Sequence, residues 1–121
     1  MKQICRYLLL SLFVLLLSGC SKDNNPVSGT SWESRNASGL WSYSHYNDGD
    51  FAEVLKFDDD QVHDIITRDG HTYYDKGWYK YRYDVTSDGR EQVYISYGDD
   101  ETICTIYDNT MYRNLDIFYK Q

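Results

Sequence analysis

Three histidines, His45, His63 and His71, are the first candidates for metal or proton chemistry in this chain. None forms the His-x-His or His-x3-His spacing that turns two imidazoles toward one metal ion. His63-Asp64 and His71 fall on neighbouring segments, where a hairpin could bring two imidazoles together; ordinary surface histidines near turns are the plainer reading. Asp58-Asp59-Asp60 offers carboxylates to calcium but lacks the central glycine and distal bidentate glutamate of an EF-hand loop. A solvated hairpin tip is expected there. Nucleophilic catalysis needs a base within hydrogen-bond reach of a hydroxyl or thiol. No Gly-x-Ser-x-Gly or similar signature surrounds Ser31, Ser42 or Cys104. Paired carboxylates for glycoside hydrolysis need a cleft that so small a domain rarely leaves. No enzymatic activity, metal or soluble cofactor is expected.

Glu53 is the polar residue with most to explain. Strand alternation through Phe51-Ala52-Glu53-Val54-Leu55-Lys56-Phe57 puts it on one face with Phe51, Leu55 and Phe57. An inward carboxylate must find a partner or become neutral. Either it orients a ligand, or it pairs with an Arg or Lys, or a one-residue bulge turns it outward; the last two together are favoured. The tyrosines pose the same choice. Tyr73-Tyr74 and the Tyr79, Tyr81, Tyr83 face could stack on sugars or line a lipid pocket, or fill a small core.

Cys20 carries the most specific chemistry. Lys2 and Arg6 precede an almost unbroken apolar run from Tyr7 to Leu17, and Leu17-Ser18-Gly19-Cys20 follows. That is the shape of a secretory signal, and its end resembles a bacterial lipobox. The resemblance implies a diacylglycerol on the Cys20 thiol, cleavage before Cys20, and an N-acyl chain on the new terminus. The apolar run is about half of the roughly 20 residues a membrane span needs. Two or more acyl chains hold stably where one does not.

Removing residues 1–19 from 121 leaves 102, one small domain, with ten basic against nineteen acidic residues, a balance of −9. A surface that acidic repels phosphate backbones and anionic headgroups, which argues against nucleic acid and leaves membrane contact to the acyl chains. Cys5 leaves with the leader and Cys20 carries lipid, so Cys104 has no intramolecular disulfide partner. Within Thr102-Ile103-Cys104-Thr105-Ile106 it is expected to be a small buried hydrophobe. Residues 20–29 are read as the lipidated cysteine and a flexible tether, polar and holding the single proline. Its nine residues after Cys20 reach about 30 Å at most. Ser21, rather than an inner-membrane retention aspartate, favours the outer membrane, facing the periplasm or the cell exterior.

From residue 30 onward, turn chemistry recurs at short intervals: Asn47-Asp48-Gly49-Asp50, Asp58-Asp59-Asp60, Asp69-Gly70, Ser87-Asp88-Gly89, Gly98-Asp99-Asp100 and Asp108-Asn109. Such spacing is that of strands joined by tight hairpins, and the thirteen tyrosines with Val, Ile, Thr and Trp are strand formers. Strands are expected at about 31–36, 39–46, 51–57, 61–68, 71–83, 91–97, 101–107 and 111–119, with Lys76-Gly77 as a break or bulge. No segment is long enough for a crossover helix. The fold class is all-β, an antiparallel up-and-down meander of about eight strands closing into a small barrel over residues 30–121.

Gly29-Thr30-Ser31-Trp32-Glu33, Phe51–Phe57, Gly77-Trp78-Tyr79-Lys80-Tyr81 and Ile117-Phe118-Tyr119-Lys120 together resemble the small lipocalin-like lipoproteins of Bacteroides-type bacteria. The resemblance implies a β-barrel with a binding role. Trp32, Phe51, Glu53, Leu55, Phe57, Tyr79, Tyr81, Val93 and Ile95 are the expected interior or ligand-binding residues. The functional expectation is a lipid-anchored binding module, with a small apolar or aromatic ligand in or at the mouth of the barrel. The alternative is a protein–protein accessory or inhibitor subunit of a cell-envelope complex. A large internal cavity would favour the first. An exposed contiguous patch containing Trp41, Trp78 or Tyr94 would favour the second.

Overall fold

The structure, a computed structural model, describes residues 25–121. The expected leader, the expected lipidation site Cys20 and the start of the expected tether lie outside the described residues. Eight strands follow in order: β1 (Ser31–Ser34), β2 (Phe51–Phe57), β3 (Gln61–Arg68), β4 (His71–Val85), β5 (Glu91–Tyr97), β6 (Asp100–Tyr107), β7 (Thr110–Arg113) and β8 (Asp116–Lys120). Each pairs antiparallel with the next, and β8 returns to β1 through Trp32 opposite Lys120 and Glu33 opposite Tyr119. The result is a closed up-and-down barrel, in which every strand pairs on both sides over at least part of its length.

Turn chemistry sets the rhythm. Asp69, Asp108 and Asn114 adopt positive φ, the left-handed backbone that Asp and Asn tolerate best after glycine. At the β2–β3 turn, Asp58 Oδ1 accepts the N–H groups of Asp60 and Gln61, so the acidic triplet is a hairpin tip.

Strand alternation fills the interior. Trp32, Leu55, Phe57, Val62, Tyr81, Val93, Ile95, Cys104, Ile106, Met111 and Phe118 pack into one cluster, with Tyr79 and Tyr83 half-buried against it. A second cluster of Ala37, Leu40, Phe51 and Ile66 closes the end reached by the β1–β2 connection.

Three elements differ from the sequence expectation. Residues 39–46 form no strand: a 3-10 turn (Ser38–Leu40) runs into a short helix, α1 (Trp41–Tyr46). Leu40 and Tyr43, three apart, face the same cluster, a helical spacing that the alternation of Trp41, Tyr43 and His45 disguises. Residues 111–119 are two strands, because Asn114 turns the chain at φ 57°. Met111 therefore points inward while Ile117 and Tyr119 point out, and the three do not share a face. One strand lost and one gained leave the count at eight.

The third difference is at the tether, of which residues 25–29 are not free. Val27 is buried in the main cluster, Asn25 Nδ2 donates to the Tyr81 hydroxyl at 2.9 Å, and the Gly29 N–H donates to the Phe57 carbonyl at 2.9 Å. The chain thus enters at the end formed by Asn25–Thr30 and the Asp58–Asp60 tip. Helix α1 and the Asp69-Gly70, Gly98-Asp99 and Asn114-Leu115 turns form the far end.

Candidate functional site

The far half of the interior is polar. Glu53 on β2, Asp64 on β3, Arg113 on β7 and Asp116 at the start of β8 all point inward and are buried. Arg113 is the centre: its Nη1 and Nη2 donate to Glu53 Oε2 and Oε1 at 2.9 and 2.6 Å. The same guanidinium donates to Asp116 Oδ2 from Nη2 at 2.9 Å and to the Tyr97 hydroxyl at 3.1 Å. This planar two-pronged fit is what arginine supplies and lysine cannot. Asp116 Oδ1 accepts the Ser38 N–H at 2.9 Å, which ties the cluster to the loop before α1. Glu53 is therefore inward and paired, with Lys76 as a second cation at 3.4 Å.

Two carboxyls within this cluster are driven apart in acidity. Burial pushes Glu53 up, but the Arg113 hydrogen bonds, the contact with Asp64 and the Lys76 charge together bring it down to about 2. Burial and the adjoining Glu53 carboxylate push Asp64 up to about 8, against the pull of Lys76 and Arg113. Asp64 Oδ1 is the one buried side-chain oxygen among the described residues without a hydrogen-bond partner. With Asp64 neutral, Glu53 and Asp116 balance Arg113 and Lys76. That balance removes the cost of an uncompensated buried charge.

A seam in the wall lies beside this cluster. Strand β4 pairs with β3 from His71 to Lys80, but with β5 only from Tyr81 to Val85. The register with β3 slips at Lys76 and again at Tyr73, and Gly77 holds φ 111° at the first slip. Side chains close the gap instead of backbone. Tyr79 and Tyr97 rings meet at 4.7 Å, the Tyr79 hydroxyl donates to the Lys76 carbonyl at 2.7 Å, and the Tyr97 hydroxyl donates to Asp64 at 3.3 Å.

The remaining residues singled out in the sequence fall into place around this frame. Trp32, Leu55, Phe57, Tyr81, Val93 and Ile95 lie together in the main core, Phe51 caps the far end, and Tyr79 lines the seam. His63 and His71 are not brought together. His71 faces Arg68 across the β3–β4 ladder, while His63 stacks on Trp78 at 4.3 Å and bonds Asp75 at 2.9 Å. Cys104 is fully buried, which pushes its thiol up to about 12. Sequence reasoning missed Asp64, Arg113 and Asp116. Asp64 between Val62 and Ile66, and Arg113 two after Met111, were alternation signals for inward charges.

The outer surface divides into two walls. Across β5–β8, outward residues pair in rows: Tyr94 with Ile103, Thr105 with Tyr112, Tyr112 with Ile117, Tyr107 with Thr110. Ile103 is 49%, Tyr107 54% and Tyr112 38% exposed. Two charged side chains reach these rows, Glu101 near the far edge and Arg82 of β4, which pairs with Glu101 at 3.5 Å and covers the Tyr94 ring at 3.8 Å. The other wall carries a trough of about 290 Å³ over β1–β3 and the start of β4. A second hollow of about 210 Å³, between β1 and Tyr119, shares Glu33, Arg35 and Gln121 with it. The far end adds exposed Trp41 and Tyr46 on α1.

Fold and interior define an eight-stranded antiparallel up-and-down barrel, a form consistent with a lipocalin-like fold, whose inside is filled by side chains. Comparison of the chain with protein-family models, curated proteins and solved structures returns no match.

Proposed function

We propose that this chain is a lipid-anchored cell-envelope protein, held at the outer membrane through Cys20, whose packed barrel docks a protein partner. It is an accessory or inhibitor subunit rather than a carrier of a small apolar ligand. The likeness to small Bacteroides-type lipoproteins and the lipobox-like Leu17–Cys20 support the anchor. The observation that carries the docking role is the β5–β8 wall, with Ile103, Tyr107, Tyr112 and Ile117 in adjoining rows and its one ion pair, Arg82–Glu101, confined to the Tyr94 edge. On a domain of strongly negative charge, such a face is where a neighbour can approach without like-charge repulsion. Exposed tyrosine is well suited to it, offering flat apolar area with a polar tip. The interior leaves the carrier reading without support: apolar side chains fill one half and the Glu53–Asp64–Arg113–Asp116 cluster the other.

The partner fitted to this wall is another envelope protein presenting an uncharged, aromatic or aliphatic face. A photoreactive phenylalanine analogue placed at Tyr112 in the producing cells tests this, with the same group at Lys80 as a control. One discrete protein adduct from Tyr112, absent from Lys80 and abolished by Ile103→Asp, is expected. Equal labelling from both positions, or none from Tyr112, contradicts the proposal.

A further inference from the structure

The trough on the opposite wall is built differently. Its floor is Ala52, Val54 and Ile65, which occupy outward pleat positions, yet are only 2%, 8% and 3% exposed. Outward Ile103 on the docking wall is half exposed, so these three lie beneath the rim side chains rather than open to solvent. Strand β2 is apolar on both faces along Phe51-Ala52-Glu53-Val54-Leu55 except at Glu53, a pattern of strands covered on both sides.

The rim is polar. Glu33 and Asp50 both hold Arg35, the first at 3.0 Å, and Lys56, Ser31, Thr67, Thr72 and Gln121 complete it. Its two carboxylates and two cations cancel, so the rim favours neither an anion nor a cation. An apolar guest would strip water from the rim and offer its remaining donors and acceptors nothing in return, a cost of about 1–3 kcal/mol for each one left unsatisfied. Carboxylate, guanidinium and amide are planar groups that meet two neighbouring hydroxyls at once. Arg35, already pinned by its carboxylates, loses little freedom on binding. At the adjoining hollow, Tyr119 stands 58% exposed and offers a flat ring.

We infer that this trough is a carbohydrate site, taking a neutral, hydroxyl-rich chain laid from Tyr119 across Glu33 and Arg35 and along the rim above Ala52, Val54 and Ile65. The sugar face bearing C–H groups rests on Tyr119, and the hydroxyls meet the rim. Joined, the two hollows fall in the roughly 300–1,000 Å³ range of small-molecule sites. The site touches the edge of the docking wall at Tyr119, which pairs with Thr110, but uses none of Ile103, Tyr107, Tyr112 or Ile117 and stands independently of it.

Titration of the mature lipidated protein in detergent with maltohexaose and with cellohexaose, read by amide NMR shifts, tests the inference. Saturable shifts at Thr67, Thr72 and Gln121 with at least one of the two are expected, with a dissociation constant on the order of 1 mM. Tyr119→Ala or Glu33→Gln weakens binding about tenfold or more, whereas Tyr112→Ala, on the docking wall, leaves it unchanged. Trigalacturonic acid, the acidic control, binds more weakly. No saturable shift with either neutral chain up to about 10 mM, shifts confined to residues outside the trough, or tighter binding of the acidic chain overturns it. None of those results bears on the Tyr112 cross-link.

Discussion

Asp64 and Glu53 stand on neighbouring strands, carboxyl beside carboxyl inside the barrel, and Arg113 closes on Glu53 with both prongs of its guanidinium. Their acidities move in opposite directions, and so do their effects on stability. Glu53 sits below its ordinary value of 4.5, so its contribution is present above that pH and lost as pH falls toward about 2. Asp64 sits above its ordinary value of 3.8, so its contribution is full below that pH and lost as pH rises toward about 8. Denaturant midpoints should therefore be highest in mildly acidic solution and decline toward pH 8. Asp64→Asn, which keeps a donor for Glu53 without a titrating proton, should flatten the upper limb. An upper limb that stays equally steep in Asp64→Asn contradicts the assignment.

Removing Arg113 leaves Glu53 and Asp116 buried without their main cation. Breaking a buried pair by deleting one partner costs about 3–5 kcal/mol. Arg113→Met should lose that much in urea unfolding, and hydrogen exchange at the Ser38 amide, held by Asp116, should accelerate. A loss below about 1 kcal/mol, the range of surface pairs, would place the guanidinium in solvent.

Gly77 holds φ 111° where Lys76 bulges out of the β3–β4 ladder. A Cβ there meets only the Tyr79 hydroxyl at 3.9 Å, so the obstacle is backbone strain rather than space. Gly77→Ala should cost about 1–3 kcal/mol, while Gly39→Ala, at a position of ordinary backbone, should cost less. Equal effects would remove the strained bulge from the account.

The barrel was legible because strand period and turn residues agree. The β2, β3 and β5 boundaries follow directly from Phe51–Phe57, Gln61–Arg68 and Glu91–Tyr97 between their polar turns. Where one residue type serves two structures, legibility failed. Trp41, Tyr43 and His45 alternate as a strand would, yet Leu40 and Tyr43 meet the far-end cluster only from a helical turn. Asn114-Leu115 interrupts what reads as one strand, because a single Asn in left-handed conformation suffices to turn the chain. Glu53 could be marked as inward from its pleat, but its partner stands sixty residues away on β7. Spacing along the chain says nothing of which charges a closed cylinder brings together. The trough was invisible for a related reason: its floor and rim come from β1, β2, β3 and the C-terminus at once.

The central claim is a filled barrel that does its binding on the outside. Native mass spectrometry of the protein purified from its own cells tests it most directly. A mass equal to the polypeptide with the acyl chains proposed for Cys20, and no further apolar molecule released on unfolding, is the predicted result. A stoichiometric apolar small molecule that leaves only when the barrel is denatured would contradict it.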